Sequence, residues 1–308
     1  MKIRPYKDSD KLCVVSVLNE VYKDINPTLI INEEVFDSDM KVDGDQTILS
    51  RDYIVAEDES GEIVGFAGLY KSSKRDYWGL DLFMLPKFFK SKRMVELFHS
   101  ALILAKKQDA PELRFIRIKY TFEDTPLHDE IKKMGLEPVN YGFWMRLDDF
   151  SSQPQLKIPS NIKIQKEKVL NDISSYVAVR NDAFSKHFDF RALTEEELKE
   201  VLEGIWKDYN QEHWFAYDGD KLVGICSSII NPEIKHIGII NNLGVLHEYH
   251  HRKIGSSLLG HGIHSLIKKG CKQIELGVEG KNEKALNLYK KYGFNQVESR
   301  TIIVYTIK

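Results

Sequence analysis

The sequence NEKALNLYKKYGF occupies residues Asn282–Phe294 and has the pattern of a helix with a defined start and stop. Asn282, Ala285 and Tyr289 recur at helical spacing. An asparagine suits the start of a helix, and Gly293 stands where a helix is expected to end. The small side chain of Ala285 allows another group to lie close against that helix face.

A second informative segment lies upstream, at Asn241–Leu259, and reads NNLGVLHEYHHRKIGSSLL. The pattern predicts an apolar strand from Ile237 to Val245, then a basic loop, then a helix that opens near Ile254-Gly255-Ser256. Backbone N–H groups converge at a helix N-terminus, so this loop is suited to bind a pyrophosphate. A glycine there lets the backbone approach the ligand closely.

These two segments, in this order, resemble the GNAT superfamily of acyl-CoA-dependent N-acetyltransferases. In that family a strand ends in a Val-x-Pro-like turn, and Arg/Gln-x-x-Gly-x-Gly/Ala then holds the coenzyme A pyrophosphate. A later helix carries Asn-x-x-Ala-x-x-Leu-Tyr-x-x-x-Gly-Phe, which residues 282–294 match closely. In the first motif Val245 fits, whereas three positions depart from the family: His247 replaces the proline, His250 the Arg/Gln and Lys253 the first glycine.

The resemblance implies acetyl-CoA as co-substrate and a role for each matching residue. Tyr289 would reprotonate the leaving thiolate, because a phenol with a pKa of about 10 is a reasonable donor to a thiolate of about 8.5. Leu243 and Val245 would offer backbone groups to the pantetheine arm. Asn282 would contact the cofactor, a role compatible with capping its helix. The other predicted cofactor-binding residues are His250, Arg252, Lys253, Ile254, Gly255 and Ser256.

The two halves of the chain carry the same pattern at an offset of about 159 residues. Three pairs show it: Ile3 with Ile162, Gly65 with Gly224, and Gly135 with Gly293. So steady an offset implies two copies of one fold. The sequence therefore predicts a mixed-sheet α/β protein made of two tandem GNAT-like acyl-CoA N-acyltransferase domains. They are expected at residues 1–150 and 161–308, with a polar linker containing two prolines at 151–160.

The two predicted domains differ at the positions that carry the chemistry. In the N-terminal copy Met94 stands in the place of Gly255, and Ile131 in the place of Tyr289. We therefore expect a degenerate N-terminal domain and an active site in the C-terminal one. The basic residues of the N-terminal loop either hold an anion or form a solvated surface; they are Lys87, Lys90, Lys92 and Arg93.

The general base and the acceptor pocket are left open by the sequence. Candidate bases near the relevant strands are Glu233, His236, Glu275 and Glu279. The acceptor segment is expected within 181–209, where aromatic and charged residues alternate at Phe184, His187, Phe188, Asp189 and Phe190. That mixture suits a cationic or polar small molecule, and equally suits helix packing. Thr194 and Glu197 have the spacing of a capping box.

Composition excludes several classes of function. The formal net charge of -2 over 308 residues lacks the basic footprint of a nucleic-acid binder. No apolar run reaches the roughly 20 residues of a membrane span, and the N-terminus lacks a signal-peptide pattern. Three separated cysteines indicate reduced thiols, so we expect a cytoplasmic protein. Five histidines cluster between His247 and His264 without a ligand set around them, so we expect no metal.

Three functions remain to be compared. The first is an acetyl-CoA-dependent N-acetyltransferase that acts on a primary amine of a small molecule or peptide. The alternative is a regulatory protein that binds acyl-CoA without turning it over. The third, an aminoacyl-tRNA-dependent transferase, requires a basic face, which the sequence pI of about 6.6 disfavours. We expect no membrane partner, and a monomer whose tandem domains replace a dimer.

Overall fold

The computed structural model describes residues 1–23, 31–37, 47–71, 75–110, 112–118, 123–151, 157–203, 211–231, 234–298 and 301–308. These residues form two compact units. The N-terminal unit contains Met1–Tyr141 and Glu298–Lys308, and the C-terminal unit contains Gly142–Val297. The predicted linker at 151–160 lies partly outside the described residues.

The N-terminal unit is a sheet with helices on both faces. Its strands are β1 (Lys2–Pro5), β2 (Tyr53–Glu57), β3 (Ile63–Lys71), β4 (Trp78–Met84), β5 (Leu113–Ile118) and the chain's last strand, β13 (Ile302–Ile307). They lie in the order β1-β2-β3-β4-β5-β13. Its helices are α1 (Lys11–Tyr22), α2 (Leu49–Asp52), α3 (Lys92–Lys107) and α4 (Pro126–Lys133), and residues 33–37 are also helical. Separate apolar clusters, around Phe98 and around Phe66, form its core.

The C-terminal unit repeats this arrangement. Its strands are the Gly142–Leu147 part of β6 (Pro138–Leu147), β7 (Ile162–Glu167), β8 (Gln211–Asp218), β9 (Lys221–Ile230), β10 (Ile237–Val245), β11 (Gln273–Glu279) and β12 (Asn295–Gln296). Their order is β6-β11-β10-β9-β8-β7, with β12 paired to β6. Its helices are α5 (Ile173–Phe184), α6 (Glu195–Glu203), α7 (Ile254–Lys268) and α8 (Glu283–Lys291). The predicted tandem α/β fold is therefore confirmed.

The same strand pairing occurs in both units. Each unit has one parallel pair, which is β4 with β5 in the N-terminal unit and β10 with β11 in the C-terminal unit. The other described pairs are antiparallel. In the C-terminal unit α7 packs on one face of β9 and α5 on the other. Adjacent residues of β9 show the two faces, because Cys226 joins the cluster around Leu258 and Ile225 joins the cluster around Tyr176.

The last strand of each half pairs in an unexpected place. β6 follows α4 in the chain but pairs with β11, and β13 follows α8 but pairs with β5. The compact units thus differ from the predicted division at 150 and 161 by these strands. The strand that begins directly after Gly293-Phe294, β12, has only two residues. No helix among the described residues has the length and apolarity to cross a membrane.

Candidate active site

Two neighbouring strands of the C-terminal unit separate part-way along their length. β10 and β11 pair only at Ile237–Ile239 with Gln273–Glu275. Beyond that point β10 carries a bulge at Asn242, whose φ of 49° is left-handed. A cavity of about 660 Å³ opens between the two strands, and it is lined by Leu243, Gly244 and Val245 on one side and by Gly277, Val278 and Glu279 on the other. Each strand therefore presents an unpaired backbone edge to the cavity.

Gly244 allows α5 to lie close to the bulged strand. A Cβ at this position would lie 2.9 Å from Ala183 Cβ and 3.1 Å from Phe184 Cε2. Ala183 and Phe184 end α5, and both line the cavity. A larger residue at Gly244 would push the helix away from the strand. The sequence of β10 thus fixes one wall of the cavity.

The N-terminus of α7 forms the second wall. Lys253 precedes the helix in a left-handed conformation, with φ of 62°, and no side chain caps this end. Among the described residues, no acceptor bonds to the backbone N–H of Ile254, Gly255 or Ser256. Lys253 and the three residues after it line the cavity, so the free N–H donors and the positive end of the helix dipole lie at the cavity surface.

Gly255 has open space where a side chain would be. A Cβ built on it meets only Val245 Cγ2, at 3.6 Å, which is an ordinary van der Waals distance. Packing within the protein therefore does not require glycine here. The absence of a side chain instead keeps the helix N-terminus open to the cavity.

The loop before α7 is held by hydrogen bonds from histidines. His247, at the family's proline position, donates its backbone N–H to Asp182 Oδ2 at 2.7 Å, and its ring Nδ1 lies 3.0 Å from the same oxygen. Burial raises the pKa of Asp182, but these bonds outweigh it and lower the pKa overall. His250 places Nε2 3.0 Å from the Val245 carbonyl, and burial lowers its pKa. These contacts hold the loop in place at the two positions where the family motif has proline and Arg/Gln.

Arg252 differs from the other predicted cofactor-binding residues in its position. It is absent from the cavity lining, whereas the other eight line it. Its guanidinium carbon lies 4.6 Å from the centre of the Tyr249 ring, and Nη1 is 3.8 Å from Asp218 Oδ2. Lys284, in the first turn of α8, lines the cavity instead. Lys284 was not among the predicted cofactor-binding residues, although it lies inside the Asn282–Phe294 motif.

Tyr289 lies on α8 with its side chain at the cavity. Asn282 caps the helix, because its Oδ1 accepts the Ala285 N–H at 3.1 Å, and the helix ends before Gly293, whose φ is 87°. Tyr289 is 7% exposed, and its ring centre lies 6.0 Å from that of Phe294. Its hydroxyl has no hydrogen-bond partner among the described residues. Burial raises the pKa of Tyr289, so the hydroxyl keeps its proton at neutral pH.

Glu279 and His187 meet at the cavity wall. The Glu279 carboxylate accepts the Phe188 N–H, at 3.3 Å to each oxygen, and Oε2 lies 3.8 Å from His187 Nδ1. Both residues line the cavity. Burial lowers the pKa of His187, and the Glu279 charge opposes that effect. A carboxylate and a mainly neutral imidazole are the groups that accept a proton near pH 7.

The other candidate bases are placed elsewhere. Glu275 is buried and accepts two hydrogen bonds from Arg146, at 3.0 and 2.8 Å. His236 lies before β10, where its carbonyl accepts the Lys272 N–H, and it is not part of the cavity lining. Glu233 lies outside the described residues. Glu279 is thus the one sequence candidate that the described structure brings to the cavity.

The predicted acceptor segment reaches the cavity in part. Phe184 and His187 line it, with ring centres 4.9 Å apart, whereas Phe188, Asp189 and Phe190 are absent from the lining. The capping box at Thr194 and Glu197 is confirmed by two reciprocal hydrogen bonds of 3.2 Å. The rings of His247, His250 and His251 are neighbours, with centres 5.0 and 6.4 Å apart, whereas His261 Nδ1 lies 2.8 Å from the Ser257 carbonyl. No group of three side chains with the geometry of a metal site is found in the described part of the chain.

The corresponding positions of the N-terminal unit are filled by apolar side chains. Met94 is 1% exposed within the core, and Ile131 is fully buried. The N-terminus of α3 is also capped, because Ser91 Oγ accepts the Arg93 N–H at 3.3 Å. Lys87 and Arg93 lie over the Phe88 ring. This unit thus has a closed helix N-terminus and no tyrosine at the equivalent of Tyr289.

Comparisons with known proteins agree with this geometry. Residues 177–294 match the model of the Acetyltransferase (GNAT) family. The chain is similar to a mycothiol acetyltransferase of Propionibacterium freudenreichii, with 26% identity over 183 residues, or 58% of each protein. The chain spans about half the length of the curated relatives it matches.

Two solved structures share the fold across almost the whole chain. A tandem GNAT protein from the clavulanic acid biosynthesis pathway has a TM-score of 0.73 at 14% identity, covering 99% of this chain and 98% of that one. A GCN5-related N-acetyltransferase from Sphaerobacter thermophilus has a TM-score of 0.71 at 16% identity, covering 99% and 95%. The chain has the tandem GNAT fold, and its residues 177–294 match the GNAT acetyltransferase family.

Proposed function

We propose that this protein is an N-acetyltransferase that transfers the acetyl group of acetyl-CoA to a primary amine of a small molecule or peptide. Its active site is the cavity of the C-terminal unit. One observation carries the proposal: an uncapped helix N-terminus and a tyrosine hydroxyl that lacks a partner among the described residues open onto the same cavity, between two separated strands. The family match of residues 177–294 supports the same reaction class.

The cavity offers acetyl-CoA a binding group along its whole length. The free N–H groups of Ile254, Gly255 and Ser256 bind the pyrophosphate, and the side chains of Lys253 and Lys284 add positive charge. Neutralisation by two lysines and the helix dipole offsets the negative charge of the ligand. Arg252 is directed to Tyr249 and plays at most an indirect part.

The pantetheine arm lies along β10 as an added strand. Leu246 donates its N–H to Val223 on β9, and backbone groups alternate in direction along a strand. The backbone of Val245 and Leu243 therefore faces the cavity rather than β9. The His250 ring hydrogen-bonds to the Val245 carbonyl. The Val245 N–H and the backbone N–H and carbonyl of Leu243 therefore remain for hydrogen bonds with the amides of the pantetheine arm.

The chemistry requires one proton acceptor and one donor. The neutral amine attacks the thioester carbonyl, so that a C–N bond forms, the C–S bond breaks, and the thiolate leaves. His187 takes the proton of the ammonium group, and the carboxylate of Glu279 stabilises the imidazolium that results. Tyr289 gives its proton to the thiolate sulfur, and the second proton, which the nitrogen loses as the amide forms, passes through solvent to restore the phenol. Its raised pKa keeps that proton available throughout the neutral range.

The acceptor is an amine, and the N-terminal unit takes no part in acetyl-CoA binding. Glu279 gives the acceptor end of the cavity a negative charge, which favours a cationic group beside the rings of Phe184 and His187. Similarity to mycothiol acetyltransferases supports a small acceptor. In the N-terminal unit, Met94 and Ile131 replace the glycine and the tyrosine, so we propose that this unit is degenerate.

Acetylation of an amine panel tests the proposal. Polyamines, amino acids, aminoglycosides and peptides are incubated with acetyl-CoA and the full chain, and the released coenzyme A and acetylated product are measured by chromatography and mass spectrometry. We expect transfer to at least one amine, and none with Gly255→Glu, whose carboxylate occupies the helix N-terminus. If acetyl-CoA binds but no amine is acetylated, the protein is instead a regulatory acyl-CoA-binding protein.

A further inference from the structure

Arg180 has hydrogen-bond donors that the described protein leaves unused. It lies on α5 and is half-buried. Its Nη1 donates to Asn181 Oδ1 at 3.2 Å and to the Arg191 carbonyl at 3.0 Å. Within the described ranges Nε and Nη2 have no acceptor. The two donors that remain form the fork with which arginine binds a carboxylate through two parallel bonds.

No carboxylate among the described residues forms an ion pair with Arg180. Glu197 is the nearby carboxylate, but Arg191 holds it with distances of 3.0 and 2.8 Å. Neutral oxygens do not compensate for the lost hydration of a guanidinium, and burial accordingly lowers the pKa of Arg180. A half-buried cation without a counter-ion indicates that the counter-ion comes from a ligand.

Arg180 is not itself among the residues that line the cavity, but its guanidinium group lies beside the ring of Phe184, which lines the acceptor end. Its guanidinium carbon is 5.9 Å from the ring centres of both Phe184 and Phe190. The Phe184 ring lies 4.9 Å from His187, which lines the cavity beside Glu279. One aromatic ring therefore separates the unused donors from the proposed base. A positive group and a negative group thus flank the place where the acceptor binds.

We propose that the acceptor is an amine that also bears a carboxylate, such as an amino acid or a short peptide with a free C-terminus, and that Arg180 binds this carboxylate. The inference rests on the proposed acetyl transfer, which supplies the amine. Arg180 aligns the carboxylate while Glu279 and His187 receive the ammonium group, so the two charges fix the direction in which the acceptor enters.

Matched acid and amide probes test the proposal. The probes are L-serine, L-lysine, β-alanine and glycylglycine, each with its primary carboxamide. Their binding to the full chain saturated with coenzyme A is measured by calorimetry, and their kcat/KM by chromatographic detection of the acetylated product. We expect at least one acid to bind about 10-fold or more tightly than its amide, and Arg180→Gln to remove that difference. Arg180→Lys keeps the positive charge but cannot form two parallel hydrogen bonds, so it should retain only part of the preference for the acid.

Arg191→Gln is the matched control, since it removes a neighbouring guanidinium that is already paired with Glu197. It should keep the preference for acids, and both glutamine variants should bind coenzyme A as the parent does, which confirms that they are folded. If no acid binds more tightly than its amide, or if the preference survives in Arg180→Gln, the inference is wrong. Acid binding without acetylation would contradict the proposed function alone, and acetylation without acid preference would contradict this inference alone.

Discussion

Replacing Tyr289 by phenylalanine separates the proposed chemistry from packing. The hydroxyl makes no hydrogen bond within the described residues, and the ring packs near Phe294. Phenylalanine keeps the ring and leaves no partner unpaired, so the free energy of unfolding should change by less than about 0.5 kcal/mol. Loss of a general acid should lower kcat by about 10²–10⁴-fold, which corresponds to ~3–5 kcal/mol of transition-state stabilisation.

Tyr292, three residues later, provides the matched control. Its hydroxyl donates to the Ser256 carbonyl at 2.6 Å, so Tyr292→Phe should cost about 0.5–1.5 kcal/mol of stability and leave kcat within a few-fold. The assay combines initial rates of coenzyme A release, calorimetric affinity for acetyl-CoA and thermal unfolding. If Tyr289→Phe keeps kcat within about threefold of the parent while acetyl-CoA still binds, the tyrosine is not the proton donor.

Three further predictions follow from the geometry of the C-terminal unit. Gly255→Ala should raise thermal stability by about 0.5–1 kcal/mol, because the added methyl group meets only Val245, yet weaken acetyl-CoA binding; calorimetry that shows undiminished affinity would contradict the anion site. Since burial lowers the pKa of His187, kcat/KM should rise with pH to a plateau with a midpoint below about 6.5, and His187→Gln should abolish this limb; an unchanged profile would exclude the histidine. Burial lowers the pKa of His213 to about 4, so the folded state binds its proton less readily than the unfolded state. Stability is then complete above pH ~6.5 and should fall by about 2–3 kcal/mol as the pH drops to 4, a loss that His213→Gln should reduce when unfolding is followed at both pH values.

Local pattern predicted the elements of the site well. The strand from Ile237 to Val245 and the helix around Tyr289 were identified from periodicity, the asparagine cap and the glycine stop. Each signal is local, because a few adjacent side chains and backbone angles determine it. The repeat offset predicted two copies of the fold because the same local patterns recur in each half of the chain.

Features of the site and fold that depend on contacts between residues far apart in the sequence could not be predicted. Glu275 and Glu279 lie on one strand, and the sequence does not distinguish them as candidate bases. Arg146, 129 residues before Glu275, pairs with Glu275, whereas Glu279 lines the cavity. The exchange of β6 and β13 was also hidden, because either strand satisfies the pattern of either copy. The bulge at Asn242 arises from tertiary packing, and an asparagine in a strand indicates it only weakly.

The departures from the family motif are compensated by individual contacts. Lys253, which takes the position of the motif's first glycine, adopts a left-handed conformation at a cost of about 1–2 kcal/mol. His247 replaces the proline and anchors the loop through Asp182. Asp182 lies on α5, so the loop that precedes α7 is tied to the helix that forms the opposite wall. The cavity thus keeps its form with a different set of residues.

Calorimetric titration of the full chain with acetyl-CoA tests the central claim most directly. We predict one site per chain, lost in Gly255→Glu and retained in Lys90→Glu, which places a glutamate in the exposed loop before α3. Two sites per chain would show that the N-terminal unit also binds the cofactor. No binding, or binding that survives Gly255→Glu, would contradict the assignment of the α7 N-terminus as the acetyl-CoA site.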